Sequence, residues 1–235
     1  MNIQTISRTQ RLKFAAGNKK LSSTIATFTL PAGKTCPFAE SCRTVVGINK
    51  DNHPKLYDLQ TGTSQMQFRC YAASLEVAFS NLRAMVRYNM NLLKSCSSMA
   101  EMIDLIDASL PIEYNIFRLH VGGDFFSEDY FKAWMYVAAL NPSKLFYAYT
   151  KSLPYWVENV SLVPVNMVLT ASYGGRHDEL IVKHNLKNVK IYTSEYQAYA
   201  EGREIDSDDS LARDPSVKQF GLLLHGGQPR HISKT

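Results

Sequence analysis

No apolar run in this chain approaches the roughly 18 residues that span a bilayer, and no hydrophobic stretch backs the charges at its N-terminus. Neither a membrane span nor a secretory signal is expected, and the expected location is the cytoplasm. Low-complexity tracts, short repeats and Pro/Gly/Ser linkers are missing too, which argues against disorder, a solenoid or a division into separate domains. Cysteine is scarce: four in 235 residues, with none after Cys96. In a reducing compartment so few cysteines speak against a disulfide framework and for metal binding or catalysis. Acidic residues are absent from the first 20 positions, where Arg8, Arg11, Lys13, Lys19 and Lys20 supply the whole net charge of +5. The rest of the chain is neutral. The expected organisation is therefore a basic arm over residues 1–20 and a single domain over 21–235. Such an arm can track a nucleic-acid backbone or simply be a solvated tail.

What is present is an alternation of strand-like and helix-like segments. Residues 23–30 are β-branched and aromatic and end at Pro31 and Gly33. A long helix is predicted from about Tyr71 to Lys94, with Leu75, Phe79, Leu82, Val86, Met90 and Leu93 on one face. Ser98 and Glu101 form a capping box for a second helix. Further strands are predicted at 114–121, 145–149, 166–170, 189–192 and 220–224, with helices opened by Ser127 and by Ser152-Leu-Pro154 and another near Leu180 to His184. The acidic stretch 201–210 reads as a surface loop. Strands alternating with helices imply parallel pairing through right-handed crossovers. Polar or glycine-rich residues follow nearly every strand: His120 before Gly122-Gly123-Asp124, Thr150-Lys151, Ser172 before Gly174-Gly175, Ser194-Glu195 and His225-Gly226-Gly227. Converging strand ends favour a partial (β/α)6 TIM-like barrel over an open doubly wound sheet.

The residues with the most pronounced chemistry are Cys36, Cys42 and Cys70. The first two follow the first strand, and the third stands at the mouth of the long helix, where the helix dipole is expected to lower its pKa. Three thiolates are too few for a closed four-ligand site but suffice for a 4Fe–4S cluster with one open iron. Zinc with His53 or Cys96 as fourth ligand is an alternative, although the spacing C-x5-C-x27-C lacks the short zinc knuckle. Ordinary unligated thiols are another. Cys96, at the far end of the helix, reads as a packing residue. His120, Asp124 and Lys151 are candidate catalytic groups. Glycines at 122 and 123 would let a ligand approach the backbone, and His225 is a further candidate.

The segments Leu30-Pro-Ala-Gly-Lys-Thr-Cys-Pro37, Arg69-Cys-Tyr-Ala72, Arg118-Leu-His-Val-Gly-Gly-Asp-Phe125 and Tyr147-Ala-Tyr-Thr-Lys151 resemble the phage and plasmid gene product 88 family over residues 20–175. More distantly, the layout is similar to radical S-adenosylmethionine (SAM) enzymes, although their usual CxxxCxxC is absent. That likeness implies a cluster loop after the first strand, with SAM held by Gly122, Gly123 and Asp124 and by the neighbouring strand end at Ser172. Three readings follow: a SAM-dependent 4Fe–4S radical enzyme, with nucleic acid as a candidate substrate; a metal-stapled, non-enzymatic binding module for nucleic acid or a host protein; or a cluster enzyme that uses the open iron without SAM.

Overall fold

The computed structural model describes residues 10–17, 21–59 and 68–228. Arg8, Lys19 and Lys20 of the basic arm lie outside the described residues. All six predicted strands are present: β2 (Ile25–Thr27), β5 (Ile116–Leu119), β6 (Leu145–Thr150), β7 (Met167–Ser172), β8 (Asn188–Tyr192) and β9 (Gln219–Leu223). They pair in parallel in the order β2-β5-β6-β7-β8-β9, and a two-residue strand β1 (Ala15–Ala16) adds antiparallel to β2. The order is that of the sequence throughout, so there is no switch point and the doubly wound alternative is excluded. Among the described residues β1 and β9 do not pair, and the sheet is open rather than closed into a barrel.

The helices of the connections that precede β8 lie on one face of the sheet. Alternation along the strands builds that face: Phe117 and Leu119, Phe146 and Ala148, and Leu169 and Ala171 join the main core. Against them pack α2 (Ser80–Lys94), α3 (Met99–Ser109), α4 (Glu128–Leu140), α5 (Leu153–Glu158) and α6 (Glu179–Lys183). Ser98 and Ser127 accept the backbone N–H groups of Glu101 and Tyr130 (3.2 and 3.3 Å), as the capping patterns predict. The opposite face carries Tyr147, Val168, Val189 and Phe220. The stretch between β8 and β9 covers it, after α7 (Glu195–Ala200) and through α8 (Ser210–Arg213). Here the expectation of a surface loop holds only in part: Glu201, Glu204 and Asp208 are exposed, but Arg203, Asp206 and Asp209 are buried. Their charges are satisfied internally, which composition alone does not reveal.

The predicted long helix is two. It runs as α1 (Tyr71–Ala78), breaks at Phe79 in an extended conformation, and resumes as α2. The break serves two cores. Ala72 and Ala73 of α1 pack on Ala32 and Val46 in a separate small core, whereas Val86 and Leu93 of α2 are wholly buried, Leu93 in the main core. The Arg83 guanidinium closes the joint by donating to the carbonyls of Glu76 and Val77 (2.6 and 3.2 Å). Val46 belongs to a hairpin of β3 (Thr44–Ile48) and β4 (Pro54–Asp58) that the sequence reading did not anticipate. Residues 10–17 are held against the domain: Leu12 is buried, and Lys13 N–H donates to Asn89 (2.8 Å). Among the described residues no helix is long and apolar enough to cross a membrane.

Candidate functional site

The cysteine loop runs from β2 to β3 and is stitched to the turn after β7. Gly174 carbonyl accepts from the N–H groups of Glu40 and Ser41 (3.1 and 3.0 Å), and Phe38 carbonyl accepts from Arg176 (2.9 Å). Gly174 has φ +92°, and a Cβ there would stand 2.8 Å from the Ser41 hydroxyl, so only glycine fits this close approach. The hairpin accounts for most of the 27-residue gap between Cys42 and Cys70: the chain leaves and returns to the same place. Phe68 N–H donates to Ser41 carbonyl, and Cys70 N–H to Thr44 hydroxyl (3.2 and 3.4 Å).

Cys36, Cys42 and Cys70 consequently line one cavity of about 150 Å³ at the C-terminal ends of the strands. Its wall also includes Gly122, Gly123, Asp124, Lys151, Ser172 and His225, so the convergence of the predicted residues is real. Cys96 is not among them; it packs against the main core, as predicted, and His53 sits on the hairpin, also outside the cavity wall. Burial pushes the Cys70 thiol up to about 12, with a further push from Cys42. The backbone N–H groups of Ala72 and Ala73 at the start of α1 pull the other way and lose. The expected lowering by the helix is thus overturned by desolvation. Burial raises the Cys36 thiol as well, and the neighbouring Asp124, Cys70 and Cys42 add to it. Among the described residues no group of three or more His, Cys, Asp or Glu side chains is placed to hold a metal ion.

The other predicted residues are placed, but several are already engaged. Asp124 is buried and accepts three hydrogen bonds, from Phe125 N–H (2.8 Å), Thr150 hydroxyl (2.6 Å) and Lys151 N–H (2.8 Å). Burial outweighs those bonds and pushes its carboxyl up to about 6. Lys151 Nζ donates to Ser172 hydroxyl (2.6 Å) and to the carbonyls of Ser172 (3.2 Å) and Tyr173 (2.8 Å), which occupies all its donors. His120 borders the cavity, but its ring packs on Phe125 (centroids 4.4 Å apart) and its Nε2 meets the Tyr130 hydroxyl (3.0 Å). Both glycines border the cavity and are also required by close packing. A Cβ on Gly123 would lie 2.5 Å from the Thr35 hydroxyl, and one on Gly122 would lie 2.9 Å from Ala72.

The sequence reading missed a second layer of the same cavity. Arg118 and Tyr149 project from the face opposite the helices and line it together with Tyr71. Arg118 is paired with Asp209 (2.7 Å) and lies over the Tyr149 ring (5.1 Å). Asp209 also accepts from the hydroxyls of Tyr147 and Tyr149 (3.1 and 3.3 Å). Tyr71 donates to Val121 carbonyl (2.6 Å) and stacks on His225 (4.4 Å). The only signal was the alternation that puts Arg118, Tyr147 and Tyr149 on one side of adjacent strands.

A family model described as Gene product 88 matches residues 4–234, nearly the whole chain. The chain belongs to that family. The match bears out the resemblance read from the four motifs and points to a phage or plasmid origin. It extends the likeness beyond residue 175, over the last two strands and the segment that covers the sheet. No curated protein and no solved structure matches.

Proposed function

We propose that this Gene product 88 protein holds a 4Fe–4S cluster through Cys36, Cys42 and Cys70 and acts on a small molecule bound beside it. The observation that carries the reading is that three thiols from two separate stretches line one cavity at the C-terminal strand ends. The donor set fits a cluster better than zinc. A fourth cysteine is not in the cavity wall, and a cluster spreads its thiolates over several irons, so it does not need the single-ion spacing that is lacking here. Bound there, the cluster would supply one-electron or Lewis-acid chemistry at an iron the cysteines leave open. The chain's own residues would do the rest. Phe68 and Leu222 to Leu224 limit water, while Arg118, Tyr149 and His225 present polar groups to a ligand. In this reading the sequentially ordered sheet is a partial barrel laid open.

SAM as the ligand is the finer form of the proposal. Asp124 keeps one unused acceptor position of the roughly four on a carboxylate, enough to receive an ammonium group. The internal commitments of Asp124, Lys151 and Ser172 favour a second reading, in which the cluster works without SAM or only staples the loop.

Anaerobic purification with iron and sulfide analysis tests the cluster. A brown protein with about four irons is expected, bleached by Cys36→Ala, Cys42→Ala or Cys70→Ala and not by Cys96→Ala. A colourless protein with stoichiometric zinc after attempted reconstitution would sink the reading. SAM should then alter the paramagnetic resonance spectrum of the reduced cluster; an unchanged spectrum and no calorimetric binding select the second reading. Nucleic-acid contact by the basic arm would show as affinity that falls steeply with salt, a dependence that flattens when Arg8, Arg11, Lys13, Lys19 and Lys20 are replaced by glutamine.

A further inference from the structure

A second concavity, of about 280 Å³, lies between α2, the loop after β2 and the small core, away from the thiol cavity. Its wall has three kinds of surface. Pro31 and Met90 give an apolar side, Glu76 and Asn91 give hydrogen-bonding groups, and Lys34, Arg87 and Lys94 give three positive charges. Those cations make no ion pair with any described residue, although the domain as a whole is neutral. Glu76 alone opposes them. It is buried and tied by one oxygen to Ala32 N–H (2.6 Å), and its charge is drawn on by Arg87, Lys34 and Arg83. The groove therefore keeps a net positive charge around a buried acceptor.

Geometry narrows what can fill it. Arg87 and Lys94 are seven residues apart on α2, roughly 10 Å along the axis, a gap that two long side chains can close onto one anionic group at the rim of the groove. A ligand that uses the whole groove has an anionic group for the basic side chains, an apolar body for Pro31 and Met90 and a hydrogen-bonding edge for Glu76 and Asn91.

We propose that this groove binds a nucleotide, either free or as the terminal unit of a strand. The phosphate lies among the basic side chains, and the base lies against Pro31 and Met90. Asn91 and Glu76 meet hydroxyl or amino groups, since a buried carboxylate accepts hydrogen bonds and rejects a second anion. The site is independent of the cluster proposal and shares no residue with the thiol cavity, although Lys34 is two positions before Cys36.

Calorimetry at low salt, on the full chain, tests it with four probes: adenosine 5′-monophosphate, adenosine, inorganic phosphate and a 5′-phosphorylated oligothymidine. The monophosphate or the oligonucleotide should bind at least about tenfold more tightly than adenosine or phosphate alone. Binding by the monophosphate identifies a free nucleotide, and binding by the oligonucleotide alone identifies a strand end. Lys34→Gln, Arg87→Gln and Lys94→Gln should each weaken binding about two- to fivefold, the range of exposed charge pairs. The triple variant should abolish it while leaving the melting temperature and the metal content unchanged. Equal binding of adenosine and its monophosphate, no binding by any probe, or binding that survives the triple variant would each overturn the proposal.

Discussion

His120 is held in the left-handed region, with φ +56°, and is almost wholly buried between Phe28, Phe125 and Tyr130. Burial alone lowers its pKa from the ordinary 6.5 to about 3. The unfolded chain therefore takes up a proton between those values that the native state refuses, and stability falls as pH drops through that window. The loss from this residue reaches on the order of 5 kcal/mol near pH 3. We expect the urea midpoint to decline from pH 7 to pH 4 and the decline to be shallower in His120→Asn, which tolerates the left-handed backbone. An identical slope in the variant would show that other groups set the acid limb. Asp124 behaves differently. Asp124→Ala strips acceptors from Phe125, Thr150 and Lys151, so it should lower the melting temperature by several degrees, for a cost of about 2 kcal/mol. Its effect on ligand binding must be compared at equal folded fraction. The sequence identified this neighbourhood because residues after successive parallel strands end at one edge, whatever their roles. It could not reveal that Gly122 and Gly123 are also required by packing, because a packing glycine and a ligand-approach glycine look alike in one dimension.

At the scale of elements, the joint between α1 and α2 is the clearest case of a pattern that sequence cannot resolve. Leu75, Phe79, Leu82 and Val86 keep helical spacing across the break, yet Phe79 is 58% exposed. Periodicity reports that each turn has an apolar side, not that two turns face different cores. Arg83 decides the joint by capping the last carbonyls of α1. Arg83→Ala should cost about 1–2 kcal/mol and should speed amide exchange in α1 more than in α3. Uniform exchange in the variant would remove the cap from the account. The hairpin of β3 and β4 carries a weak signal of its own, Thr44-Val-Val-Gly-Ile48 followed by turn residues through Asn52, and the cysteine spacing drew attention away from it.

Across the whole molecule, the helices that precede β8 pack on one face of the open sheet, and the other face is covered by the connection between β8 and β9. Here the cover is the acidic segment before β9, and its anchor is Asp209, buried and left-handed with φ +62°. Composition marked this segment as solvated because five acids in ten residues usually are. Partners from strands 60 or more positions away reverse that inference: the Tyr147 and Tyr149 hydroxyls and the Arg118 guanidinium. The anchor couples the floor of the thiol cavity to the cover, and a double-mutant cycle can measure it. Asp209→Asn keeps a residue suited to the left-handed backbone and an acceptor for the tyrosines, but leaves Arg118 buried without its counter-charge. We expect a loss of about 3–5 kcal/mol, as for a broken buried pair. Arg118→Met combined with Asp209→Asn removes the stranded charge along with its partner, so the double variant should recover at least about 2 kcal/mol of that loss. If the double variant is as unstable as the sum of the two single ones, Arg118 and Asp209 are not energetically coupled, and the cover is held by the apolar contacts of Leu211, Ala212 and Val217 instead.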